Sequence, residues 1–364
     1  MNKISVALIF GGKSSEHEVS INSAKNIAAA IDKTKFNLVT IGISKEGSWY
    51  FTTALNKIAA LKDDSIDTEN FHPISFDMQG ACGKLINKKT QKPIDIDIVF
   101  PIIHGTFGED GCLQGFFKML NIPFVGCSVL SSAAGMDKDI MKQIFSHAKV
   151  PNAPFLLLRP WQNLKFKDIV DRLGLPFFIK PANAGSSVGV HKIKNESEFS
   201  TQLSDSFTYD TKVIAEKFIR GKEIEISVLG LNHTPEVSEP GEIRPTHEFY
   251  TYEAKYLDQN GAQTIIPATI SDKAKAQVKQ LAKAAYTAIN ATGFARMDFF
   301  VTENDEVFIN EINTLPGFTN ISMYPKMWEA SGLSYSSLIT KLIELGLEQH
   351  RIDQSLKRDF DQSP

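Results

Sequence analysis

Two short segments near the C-terminus, ARMDFFV (295–301) and VFINEIN (307–313), constrain the fold more than any other stretch. Each alternates as a strand does, and TENDE (302–306) joins them as a turn. Pairing around that turn sets Asp298 opposite residue 310 or 311. Arg296 and Asp298 then share one face, and so do Glu311 and Asn313. Carboxylates facing each other repel, so a buried face keeps them only with a cation. Asp, Glu and Asn oxygens suit Mg²⁺, which also takes oxygens from substrate phosphates. A solvent-facing polar side is the alternative, but Phe299, Phe300, Phe308 and Ile309 mark a sheet with one buried face. Just beyond, Pro316-Gly317 forces a turn whose N–H groups could hold an oxyanion or simply precede a helix.

A second stretch, FFIKPANAGSSVGV (177–190), runs from an apolar strand through Lys180 into a loop almost without bulk. Bare N–H groups beside a lysine make a phosphate grip, whereas a flexible hairpin is the plainer reading. The lysine precedes the glycine, so this is not the G-x-x-x-x-G-K-[ST] phosphate loop, nor is it G-x-G-x-x-G.

The chain is long enough for two or three domains at 364 residues, and its 22% charged residues are ordinary for a soluble protein. A net charge of −3, with no basic run carrying aromatics, speaks against nucleic acid as a partner. No apolar stretch approaches a membrane span. The opening MNKISVALIFGG lacks a signal-peptide cleavage site and breaks at Gly11-Gly12 like a buried strand. Cys82, Cys112 and Cys127 form neither a metal spacing nor a disulfide framework, which fits a reducing cytoplasm.

The fold class is α/β. Strands at 4–10, 36–43 and 96–103 alternate with helical stretches, predicting a mostly parallel sheet. The loops 11–18 and 104–111 fall at its C-terminal strand ends, where ligands sit in such sheets. Ser15 and Glu18 have capping-box spacing. Residues 56–92 read as a polar surface insertion, and 122–125 as a short parallel strand. A helix is expected at 136–148, strands at 155–158 and 177–180, a hairpin return at 188–193, and a helix at 196–207. Segments 213–219 and 223–229 read as strands, and 273–290 and 335–349 as helices. The irregular stretch 238–268, with its aromatics and charges, reads as a lid. The expected domains are 1–126, 127–214 and 215–350, with the lid at about 240–266 and a polar tail at 351–364.

Lys180 with its loop, Glu216-Lys-Phe218, Arg296-x-Asp298 and Glu311-Ile-Asn313 together resemble the ATP-grasp superfamily. Six further stretches resemble the D-alanine–D-alanine ligases: GGKSSEHEVS (11–20), HGTFGEDGCLQG (104–115), MDK (136–138), KPANAGSSVG (180–189), YEAKY (252–256) and NTLPG (313–317). Each is weak alone, but their order from about Lys3 to Leu347 is specific. The resemblance implies a three-domain ATP-grasp architecture with an N-terminal parallel α/β domain. It implies joining of two D-alanines with ATP through an acyl phosphate, for peptidoglycan, by a cytoplasmic homodimer. The cofactor implied is Mg²⁺ or Mn²⁺, two ions, with ATP as co-substrate and D-alanine and ATP as partners.

By the same resemblance Glu16 holds the first D-alanine's ammonium and His104 lies near its carboxylate. Glu109 and Asp110 shape their loop. Lys138, Lys180, Ser187 and Lys255 contact ATP phosphates, while Glu216 and Glu223 meet the adenine and ribose ends. Tyr256 reaches toward Ser186 and Glu16, and Ser186 latches the lid. Arg296 and the Gly317 N–H form the oxyanion site. Asp298, Glu311 and Asn313 are metal ligands, and Ser322 and the Met323 N–H receive the second substrate's carboxylate. A D-alanine–D-lactate ligase is the nearest rival, but those relatives lack the Lys255-Tyr256 pair. Another carboxylate–amine ligase of the fold conflicts with the first-domain motifs. A nucleotide-binding module without turnover conflicts with the retained metal ligands and arginine. Leu315 and Phe318 depart from the family's common residues in the 313–318 loop.

Overall fold

The computed structural model describes residues 3–52, 70–79, 82–162, 164–186, 188–245 and 262–357. Ser187, Lys255 and Tyr256, and most of the expected lid, lie outside the described residues.

Three sheets organise the chain. The first contains β1 (Ile4–Gly11), β2 (Phe36–Ile43), β3 (Trp49–Thr52), β4 (His72–Asp77), β5 (Lys84–Asn87), β6 (Lys92–Ile94) and β7 (Ile98–Pro101), in the order β6-β5-β4-β3-β2-β1-β7. Its parallel part is β2-β1-β7. β1 is buried on both faces, as a central parallel strand must be, and its residues form a nearly unbroken apolar run. Gly11 ends it at φ +91°, where a Cβ would sit 2.2 Å from the Ile43 carbonyl oxygen. Helix α1 (His17–Ala30) follows, and β7 leads through residues 102–111 into α2 (Cys112–Met119).

The second sheet joins β8 (Phe155–Leu158), β9 (Phe177–Pro181), β10 (His191–Ile193) and β11 (Val213–Lys217) in the order β10-β9-β11-β8. Helices α5 (Phe166–Leu173) and α6 (Glu196–Tyr209) accompany it, after α3 (Val129–Met136) and α4 (Lys138–His147). The third holds β12 (Lys222–Gly230), β13 (Glu236–Val237), β14 (Gly241–Pro245), β15 (Ala262–Ile265), β16 (Gly293–Val301) and β17 (Val307–Asn313). Helices α7 (Asp272–Ala288), α8 (Met323–Ala330) and α9 (Tyr335–Ser355) complete it.

Several expectations change. Residues 72–94 are not merely a polar surface insertion: β4, β5 and β6 continue the first sheet beyond β3, each antiparallel to its neighbour. Short, polar strands at a sheet edge carry too little alternation to stand out. Ser15 and Glu18 do not form a capping box. Glu16 is the N-cap residue of α1 and makes no side-chain cap bond, because its carboxylate reaches Ser186. The helix expected at 136–148 breaks at Asp137, whose side chain caps α4 through the N–H groups of Asp139 and Ile140. Stretch 122–125 makes one parallel bridge, Val99 to Phe124, rather than a strand. The flanks of the irregular segment are the paired strands β14 and β15, and α8 was not anticipated.

One apolar cluster runs from the first sheet into the third. It holds Leu8, Phe10 and Phe100 together with Phe294, Phe318, Tyr324 and Leu342. Phe318 is fully buried, with its ring 6.1 Å from Phe100 and 5.6 Å from Phe294. Phe318→Ala should cost about 3–5 kcal/mol through cavity formation. Denaturant midpoints of the two proteins check this, and unchanged midpoints would contradict it.

Candidate active site

β16 and β17 pair with Asp298 opposite Glu311 and Arg296 opposite Asn313, as the turn requires. The register shifts between Asp298 and Phe299, because Phe299 faces Ile309 and leaves Asn310 as the extra residue. That bulge turns Asn310 toward Lys180, with Asn310 Oδ1 3.3 Å from Lys180 Nζ. Each carboxylate has a cationic neighbour. Arg296 donates to both oxygens of Asp298 at 2.7 Å, and its Nε lies 3.2 Å from Glu225. Lys138 Nζ is 3.9 Å from Glu311 and donates to the Ala184 carbonyl at 2.8 Å. It thereby ties the small-residue loop to the carboxylate hairpin.

The second and third sheets enclose a cavity of about 650 Å³. Lys138, Lys180, Glu216, Glu223, Asp298 and Glu311 all line it. Lys180 Nζ donates to Glu216 Oε2 at 2.5 Å, and the other Glu216 oxygen meets Lys142. Burial alone would raise the Glu216 carboxyl, but the charges of Lys142 and Lys180 hold it down at about 2. Burial alone would lower Lys180, yet Glu216, with help from Glu311 and Glu223, keeps it raised. Lys142 is lowered, by burial first and by neighbouring Lys180.

A cleft adjoins the N-terminal loops. Glu16, 7% exposed, accepts from Ser186 Oγ at 2.6 Å. Ser186 has φ +53°, a strained backbone for a serine and one that aims its hydroxyl across to the first sheet. His104 is buried; Nδ1 donates to the Leu315 carbonyl at 3.0 Å, and Nε2 lies 3.2 Å from Ser23 Oγ. Glu109 lies 3.5 Å from the same ring. Burial alone would lower His104, but the hydrogen bond and charge of Glu109, then Glu16, raise it. Asp110 shapes its loop by accepting from the Phe107 and Cys112 N–H groups.

Ser23 Oγ also accepts from the Phe318 N–H, so α1 grips the 313–318 loop. The Leu315 N–H goes to Asn313 and the Thr319 N–H to Ser322. Among the described residues the Gly317 N–H has no partner. Ser322 is the N-cap residue of α8 and Met323 its first residue, so the Met323 N–H stands at a positive helix end. The Met323 side chain packs with Ile243 and Met327.

Asp298, Glu311 and Asn313 offer two carboxylates and an amide oxygen on facing strand positions, the hard donor set a divalent cation takes. Among the described residues no three His, Cys, Asp or Glu side chains form a metal-holding group.

Sequence profiles described as D-ala D-ala ligase N-terminus and C-terminus match residues 5–127 and 144–344. The chain belongs to the D-alanine–D-alanine ligase family. It is 47% identical to D-alanine–D-alanine ligase A of Escherichia coli strain K12 over 364 residues, covering 98% of this chain and 99% of that one. The D-alanine-D-alanine ligase of Coxiella burnetii superposes with a TM-score of 0.85 at 38% identity, covering 97% and 98% of the two chains. VanG D-Ala:D-Ser ligase from Enterococcus faecalis reaches the same TM-score at 36% identity, covering 95% of this chain and 100% of that one. The three-sheet architecture is thus the ATP-grasp fold of these ligases.

Three residues escaped the reading from sequence. Lys142 follows Lys138 by one helical turn, a spacing that could have flagged it. Asn310 comes to the site only through the bulge, and Ser23 through the packing of α1 on the loop.

The depressed Glu216 carboxyl has a pH consequence. Its contribution to stability is complete above the ordinary glutamate value of 4.5 and is lost as pH falls through about 2. Glu216→Gln should therefore lower stability by roughly a few kcal/mol at neutral pH. The gap to the parent should narrow below pH 4.5. Parallel pH–stability curves would contradict this.

Proposed function

We propose that this chain joins two D-alanines to D-alanyl-D-alanine at the expense of ATP, in the cytoplasm, as a homodimer supplying a peptidoglycan precursor. The observation that carries this reading is the Ser186–Glu16 hydrogen bond. It joins the carboxylate of Glu16, at the start of α1, to Ser186 on the rim of the lysine-lined cavity, which supports an amino-acid site beside a nucleotide site.

In this reading Glu16 receives the ammonium of the first D-alanine, with His104 on the carboxylate side. Lys138 and Lys180 neutralise phosphate oxygens, with Ser187 and Lys255 joining them. Glu216 and Glu223 take the adenine and ribose ends. Asp298, Glu311 and Asn313 would hold two Mg²⁺ or Mn²⁺ ions. When bound, these ions neutralise charge between the β- and γ-phosphates.

The first carboxylate takes the γ-phosphoryl group and ADP leaves. The free amine of the second D-alanine then attacks the acyl phosphate. Arg296, oriented by Asp298, and the Gly317 N–H donate to the oxyanion that develops, where preorganised donors are most effective. Ser322 and the Met323 N–H hold the second carboxylate at the α8 N-terminus. Collapse of the tetrahedral species expels phosphate. Tyr256, with Ser186, closes the cleft against water, which would otherwise hydrolyse the acyl phosphate.

A second reading is favoured by the D-Ala:D-Ser ligase neighbour, since the same fold serves a different second substrate there. Phosphate release with ATP and Mg²⁺ distinguishes them, comparing D-alanine alone with D-alanine plus D-serine or D-lactate. Products are identified by mass. D-Alanyl-D-alanine from D-alanine alone is expected; a mixed product as the main species would overturn the assignment. Arg296→Ala should lower kcat about 10²–10³-fold, as loss of an oxyanion donor does. A kcat near the parent's would remove Arg296 from the chemistry.

A further inference from the structure

We propose that Lys142 is a positioning residue for nucleotide recognition: from behind the cavity wall it fixes Glu216, so that this carboxylate accepts from the purine's amino group. The proposal rests on reading the 650 Å³ cavity as the ATP site.

The geometry begins in the second sheet. Glu216 on β11 stands opposite Phe155 on β8 and Phe178 on β9. Lys180 stands opposite Ile214, so Lys180 and Glu216 are diagonal neighbours on one face. Their contact, 2.5 Å, is within the cavity lining. Lys142 approaches from helix α4, passing 5.8 Å from the Phe155 ring centroid to reach the second Glu216 oxygen. Its side chain is only 1% exposed, so it cannot touch a nucleotide. Lys138 lies four residues earlier on the same helix face and does line the cavity. One helix thus supplies a lysine to the ligand and another to the wall.

Five lysines line this cavity, but so do six carboxylates, so charge alone does not place the ligand. Glu216 is placed by its neighbours: it stands opposite Phe178, whose ring is 5.9 Å from that of Phe218, and with Ile219 these form an apolar slot suited to a ring. There it can accept from a ring amine. With Lys180 as its only cation, the Glu216 carboxylate would be anchored at one oxygen and could turn about that contact, leaving the second oxygen without a fixed direction. Lys142 holds the second oxygen and prevents this.

The test measures binding of ATP and of inosine triphosphate, which carries a carbonyl where ATP has the amino group. It uses the full chain without D-alanine, alongside kcat and KM for ligation. Lys142→Met should weaken ATP binding about 10-fold, the value of one charge-assisted hydrogen bond, and inosine triphosphate binding less than about 2-fold. KM for ATP should rise with it, while kcat stays within about 3-fold. Equal weakening of both nucleotides, or unchanged ATP binding in a folded variant, would overturn the proposal.

A double-mutant comparison keeps the test decisive even if Lys142→Met alone does not fold. In the Glu216→Gln background the Lys142→Met change removes a cation whose anion is already gone. It should then leave ATP binding as it is in Glu216→Gln alone. A further loss beyond about 3-fold would show that Lys142 acts independently of Glu216. A parent protein that binds ATP but joins no D-alanine would refute the ligase reading without touching this comparison.

Discussion

Asp298 and Glu311 face each other on adjacent strands, and the geometry around them answers that repulsion. Arg296 engages Asp298 on its own strand, and Lys138 comes to Glu311 from α4. Behind them Glu216 carries two lysines of its own. The site is a set of alternating charges in which each buried ion depends on another. Such sets contribute little net stability, because desolvation offsets their attraction, while loss of one member leaves a buried charge uncompensated. Their value here is orientation. Lys138 and Lys180 reach the cavity from this set, whereas Lys142 stays behind its wall.

A second dependence joins chemistry to folding. The loop after β17 carries the Gly317 N–H, and besides its bond to Asn313 it is held by α1, by the loop after β7 and by α9. His104 grips the Leu315 carbonyl, Ser23 grips the Phe318 N–H, and Asn26 and Tyr335 both donate to the Phe318 carbonyl. The Phe318 ring sits in the cluster linking the sheets. His104 therefore ties this loop to the loop after β7 through its ring. Oxyanion donors are effective only when their positions are fixed before charge develops. A loop anchored by two domains meets that condition better than a free turn.

Much of this was legible because strand alternation and short turns leave few choices. The 295–313 hairpin paired as its turn length demands, and β2, β8 and β17 have the expected bounds. The motif residues come together where the described residues reach them. Charge partners were harder to read. Nothing in the local pattern around Glu216 announces that two lysines from different elements converge on it, since one contact is a sheet diagonal and the other crosses from a helix. The bulge at Asn310 is likewise invisible to alternation, which predicts only the residues on either side. The edge strands β4 to β6 were missed because their stability comes from joining an existing sheet, not from their own composition.

Choice of the second substrate lies beyond the fold. D-Alanine and D-serine differ by one hydroxyl, and a relative named for D-serine shares this architecture. A pocket that merely accommodates a methyl group rejects an added hydroxyl weakly, whereas one that hydrogen-bonds a hydroxyl rejects its absence strongly. The Met323 side chain is committed to Ile243 and Met327, so only its backbone N–H, at the start of α8, is open to the proposed role. Ser322 Oγ is already the acceptor for the Thr319 N–H and lies 2.8 Å from the Thr319 hydroxyl. Ser322 is thus already part of its own turn at the α8 N-terminus. Both second substrates carry the same carboxylate, so the residues proposed to hold it would meet them alike, and discrimination falls to whatever surrounds the substrate's side chain.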